Sequence, residues 1–167
     1  MTPVDIAIVL LRVVVGVTLV AHGYNHVWGG GGLAGTTRWF GSLGLRPPKL
    51  HAVLSSAGEL AAGLSLTIGF LTAPAAAFVV GAMVVAGVAN HRPNGFFVFR
   101  DGYEYVLMIG VVCAAIGLLG PGAVSVDRLL GTEVAGVTGL AIVVGGGVLG
   151  AAVLLAATWR PARALKG

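Results

Sequence analysis

Two opposite charges stand inside apolar runs of this chain: Arg12 in the first run and Glu59 in the second. A charge near the middle of a bilayer costs about 2.5–3.5 kcal/mol on insertion scales. Each must therefore be offset by a partner or by a polar site enclosed among helices. Further chemistry-bearing residues stand at the ends of the runs. His22, Tyr24, Asn25 and His26 follow the first run, and His51 precedes the second. Asn90, His91 and Arg92 close the third, and Tyr103, Glu104 and Tyr105 open the fourth. Imidazole, carboxylate and phenol groups at that level can exchange protons or hydrogen-bond a polar headgroup. His22, Asn25, His26, His91, Tyr103 and Glu104 are accordingly the candidate pocket around an Arg12/Glu59 pair.

Other chemistries find less support. His22 and His26 have i,i+4 spacing, which can bring two imidazoles to one metal if the helix continues through Gly23. Gly23 and Asn25 weaken that continuation, and there is no HExxH pattern, so no metal is assigned. The single cysteine, Cys113, lies in an apolar run, which excludes a disulfide or dithiol relay within the chain. Ser55 and Ser56 have no adjacent base and read as helix-packing residues, so no catalytic residue is assigned. The run Gly29–Gly32 lacks a following Gly-Lys-Ser/Thr and does not read as a phosphate cradle.

The elements that must position these groups are membrane spans. Of the 167 residues 57% are hydrophobic and 10% charged, against about 25% charged in soluble domains; the mean hydropathy is +0.97. Roughly 20 apolar residues cross the hydrocarbon core, and five runs qualify: about 4–23, 52–71, 73–89, 105–119 and 134–158. The first lacks a basic leader and is interrupted by Arg12, so it is expected to be a retained span rather than a signal peptide. Arg38, Arg46 and Lys49 follow the first span, Arg92 and Arg100 the third, and Arg160, Arg163 and Lys166 the fifth. The opposite side holds Arg128 with Asp5, Asp127 and Glu133. The lysine and arginine excess predicts an extracytoplasmic N-terminus and a cytoplasmic C-terminus. Basic residues scattered at the ends of spans read as topology, not as a nucleic-acid surface.

Depth measured from the shared end of the first two spans puts Arg12 roughly 16 Å below Gly23 and Glu59 roughly 12 Å from His51. The two side chains are expected to meet. Residues Thr36–Leu43 are expected to form a short surface helix with Trp39 and Phe40 at headgroup level. Thr72-Ala73-Pro74 is expected to form the tight turn between the second and third spans. The fifth span contains Gly139, Gly146 and Gly150, a spacing that lets helices pack closely within the bundle or against a partner.

The order LLRVVVGVTLVAHGYNH, SAGELAAGLSLTIGFLTAPAA, ANHRPNGFF, GYEY and GPGAVSVDRLL resembles the DoxX family of small bacterial membrane proteins. It covers Ile8 to about Leu130. Relatives often carry a lysine just after the His22-Gly23 position, where this chain has Asn25-His26. The resemblance implies an all-α membrane protein with a four-helix DoxX-like transmembrane bundle at 1–130; the glycine-rich fifth helix and basic cytoplasmic tail expected at 131–167 depart from that core. The resemblance also implies a bacterial plasma-membrane location and a link to redox complexes. Three functions follow as expectations. The first is a non-catalytic accessory subunit of a respiratory, redox or lipid-transport assembly, with a protein partner or a second copy. The second is a quinone- or lipid-binding protein with a polar pocket at Arg12/Glu59, and the third is a small carrier.

Overall fold

The computed structural model describes residues 1–161; the expected basic tail with Arg163 and Lys166 lies outside them. The described residues are helical throughout, with one isolated β-bridge and no strand. Five rods alternate in direction: α1 (Pro3–Trp28), α3 (Pro48–Ile68), α4 (Thr72–Ala86), α5 (Glu104–Leu119), and a last rod running through α7 (Gly136–Leu140) and α8 (Gly147–Thr158). Two short helices, α2 (Gly32–Ser42) and α6 (Val126–Leu130), lie at opposite ends of the bundle. Those ends are called here the α2 end and the α6 end. This is an all-α membrane protein.

Three rods, Pro3–Trp28, Thr72–Asn94 and Gly136–Thr158, are long and apolar enough to cross a membrane. The other two fall short for different reasons. α3 has 21 residues but carries Lys49, His51 and Glu59, whereas α5 is apolar but has 16 residues, about 24 Å of helix against a core of about 30 Å.

Several boundaries differ from expectation. α1 does not end near Gly23 but continues to Trp28, opened by a capping box between Thr2 and Asp5 with Pro3 in the first turn. Its interior glycines are buried against α3, where packing outweighs their poor helix propensity. α2 begins four residues earlier than predicted, because Gly31 and Gly32 take positive φ (98° and 58°) and turn the chain directly into the helix. The turn before α4 is Gly69–Leu71, not Thr72–Pro74. Gly69 caps α3 at φ 71°, and Thr72 already opens α4.

α1 packs most extensively on α3. A Cβ at Gly16 would come 2.6 Å from the Gly63 carbonyl oxygen, and one at Gly63 would come equally near the Gly16 oxygen. Further along, Gly23 meets the Ser56 carbonyl and Leu60. Such close backbone approach is the usual use of small residues between membrane helices. The main core joins Leu19, Leu66, Val79, Ile109, Cys113 and Val143 from five rods. A second cluster, Phe40, Leu45 and Ala52 with Leu154 and Trp159, lies at the α2 end.

The last rod is tied into that cluster. Arg46 N donates to the Thr158 oxygen at 3.0 Å and Arg160 N to the Gly44 oxygen at 2.7 Å. Trp159 Nε1 donates to the Leu43 oxygen at 2.8 Å. Its glycines divide by role: Gly139 lies against the Gly117 carbonyl, Gly147 against Ala77 and Val80, and Gly146 only brushes Ala77, while Gly150 meets nothing within the described chain.

Candidate functional site

Arg12 and Glu59 do not meet. The glycine contacts between α1 and α3 set an antiparallel register in which Arg12 is level with Gly69 and Glu59 with about His22. That leaves ten residues between their levels, about 15 Å of helix. The expected pairing assumed that α1 stopped near Gly23 and that α3 started near His51. The packed register instead sets Gly23 beside Ser56 and Leu60, well past His51 along α3, and so carries Arg12 toward the other end of the bundle.

There Arg12, 1% exposed, serves the loop before α6. One terminal nitrogen donates to the Pro121 carbonyl and the other to the Val124 carbonyl at 2.7 Å. Its guanidinium also packs against Gly69. Asp127 is itself buried and closes the α3–α4 turn, accepting from Leu71 N at 2.8 Å, Thr72 N at 2.9 Å and Thr132 Oγ1 at 3.2 Å. In return Asp127 N donates to the Gly69 carbonyl. Burial works to raise the Asp127 carboxyl, but hydrogen bonds from Thr72, Leu71 and Thr132 outweigh it and hold the group below the usual carboxylate value. Sequence reading took Asp127 only as a topology charge and a matched family position. No local pattern links it to a residue more than a hundred positions earlier.

At the α2 end, Glu59 is 7% exposed. Oε1 accepts from Ser55 Oγ at 2.6 Å, one helical turn earlier. Oε2 lies 3.5 Å from His26 Nε2 and has no hydrogen-bond partner among the described residues. α2 covers this cluster: the His26 ring stacks on Trp39 at 5.9 Å and meets the edge of Phe40 at 6.0 Å. Thr36 Oγ1 fastens α2 to the His26 carbonyl at 2.8 Å. A buried carboxylate facing an imidazole can share a proton, accept a hydroxyl hydrogen bond or hold a small cationic group.

Of the candidate pocket residues, only His26 reaches Glu59. α1 does continue through Gly23, yet its two imidazoles diverge, since His22 stacks on Tyr105 at 6.3 Å. No three His, Cys, Asp or Glu side chains converge among the described residues. Asn25 lies at the end of α1, where its carbonyl receives Gly29 N. His91 Nδ1 contacts the Asp101 carbonyl at 2.6 Å, and Glu104 accepts from Val98 N at 2.9 Å, so both order the loop between α4 and α5. His51 contacts the Arg46 carbonyl. Tyr103 borders an apolar groove between α4, α5 and the last rod.

Five alternating rods with a buried arginine and a buried glutamate define a multi-pass membrane protein. The DoxX family profile matches residues 7–92. The chain belongs to the DoxX family. It is similar to the inner membrane protein YqjF of Escherichia coli K12, 26% identical over 131 residues that cover 75% of this chain and 93% of the relative. It is also similar to the inner membrane protein YphA of the same organism, at 24% over 128 residues, covering 74% and 89%. No solved structure matches.

Proposed function

We propose that this chain is a non-catalytic accessory subunit of a larger assembly in the bacterial plasma membrane. The observation that carries this reading is the destination of its polar groups. Arg12, Asp127, His91 and Glu104 are each engaged with main-chain atoms of the same chain. They hold loops in place rather than converge on a substrate. The names of the two relatives support the plasma-membrane location. The basic residues at the α2 end favour that end, and with it the C-terminus, as the cytoplasmic one. Gly150, open on the outer face of the last rod, is where a neighbouring helix would approach. Isolation from native membranes in mild detergent, at native abundance, tests the reading. A protein neighbour at constant ratio is expected, with Gly150→Leu lowering that ratio and leaving the chain folded. A chain recovered only alone or only with copies of itself overturns it.

A second reading is favoured by the open Glu59 Oε2 beside His26: a redox-linked site in which a quinol hydroxyl donates to that oxygen. Arg12, engaged elsewhere, has no part in it. Unchanged quinone-linked electron transfer in Glu59→Gln membranes would remove this reading.

A further inference from the structure

The membrane-facing surface between α4, α5 and the last rod holds a groove of about 590 Å³, within the roughly 300–1,000 Å³ usual for small-molecule sites. Its walls are almost wholly aliphatic, with Arg92 and Tyr103 as the polar exceptions. A second hollow of about 510 Å³ adjoins it toward the α2 end and is bordered by Ser42 and Trp159. Val88 and Arg92 line both. The combined shape is therefore amphiphilic: a long apolar trough, a cation at the junction, and a more polar mouth.

Two independent features mark the same place. Both π-helical turns among the described residues, Gly87–His91 after α4 and Ala141–Gly146 in the last rod, border the groove through Gly87, Val88 and Val144. Such turns break the regular helix surface and are frequent at functional sites. Arg92 is exposed at the groove, and no carboxylate pairs with it among the described residues.

We infer that this groove binds one acidic phospholipid, with an acyl chain along α5 and the headgroup phosphate on Arg92. The charge complementarity selects an anion, and the aliphatic trough selects one that carries a hydrocarbon tail. A single cation near an anionic headgroup is worth about 1 kcal/mol, a preference of about fivefold over a zwitterionic lipid. The site is independent of any protein partner.

Gly110 supplies a clean test, because it lines the groove and a Cβ there would meet nothing within 4 Å. The purified full chain, in detergent with equal phosphatidylglycerol and phosphatidylcholine, is read by native mass spectrometry. One bound phospholipid is expected, with phosphatidylglycerol preferred about fivefold. Arg92→Gln should abolish the preference and retain occupancy, and Gly110→Leu should remove bound lipid of either kind. Arg100→Gln, outside the groove, should change neither. If Gly110→Leu does not fold, Leu107→Trp on the same wall carries the same test. Equal retention of the two lipids by the unmodified chain, a preference surviving Arg92→Gln, or occupancy surviving the filled groove would each overturn the inference.

Discussion

The two ends of the bundle treat their buried charges differently. At the α6 end, Arg12 donates to two loop carbonyls, and Asp127 takes main-chain hydrogens from the α3–α4 turn. Three segments remote in sequence, α1, the α3–α4 turn and residues 121–127, are thereby held by two charged side chains. At the α2 end, Glu59 is also buried but keeps one oxygen without a hydrogen-bond partner, and no carboxylate pairs with Arg92 among the described residues. Among the described residues, unpaired buried atoms stand at both ends, Arg12 Nε and Thr72 Oγ1 at the α6 end and Glu59 Oε2 at the α2 end. The difference therefore lies in the main-chain ties that Arg12 and Asp127 make and Glu59 does not. The contrast separates a main-chain clasp at one end from a side-chain cluster without such ties at the other.

The strongest way to break this comparison is to open the clasp. Arg12→Leu strips the Pro121 and Val124 carbonyls of their charged donor. A loss of about 3–5 kcal/mol is expected, as for other broken buried charge networks, read by denaturant unfolding in micelles. Gly139→Leu comes next, since its side chain would run into the Gly117 carbonyl. Overpacking of that kind costs about 1–3 kcal/mol. The matched Gly150→Leu should leave the unfolding midpoint unchanged, and a shift comparable to that of Gly139 would place Gly150 in the core as well.

Asp127→Asn should cost about 1–1.5 kcal/mol, because one charge-assisted acceptor becomes a donor facing a donor. It should also change the response to acid. The folded carboxyl lies below its unfolded value of 3.8. Its contribution is therefore complete above that value and lost as pH falls through the lower folded one. Unfolding followed downward from about pH 5 should show this loss in the unmodified chain and not in Asp127→Asn. A parallel acid response in the two proteins would remove Asp127 from the clasp.

Glu59→Gln should have the smallest effect, under about 1 kcal/mol, since the amide oxygen can still accept from Ser55. Its mark should be local: the His26 ring nitrogens should shift in ¹⁵N spectra as the facing charge is removed. A loss as large as that of Arg12→Leu would make Glu59 a second clasp and erase the contrast between the ends.

Residues 1–161 also divide by the range over which information acts. Composition, the five apolar runs and the ordered motifs of the DoxX family follow from the sequence, because hydropathy and helical length are local properties. So does the expectation that Arg12 and Glu59 are special, since intramembrane charges must be accommodated somewhere. Their partners were not legible. The partner of Arg12 is a loop over a hundred residues away, and the choice between that loop and Glu59 turned on a helix register. That register is set by Gly16, Gly23 and Gly63, whose contacts exist only once α1 and α3 pack. The groove at Arg92 likewise exists only where α4, α5 and the last rod come together. Sequence alone determined that charges would lie among membrane helices; tertiary packing decided which atoms answer them, because a shift of a few residues along a helix moves a side chain by several ångströms.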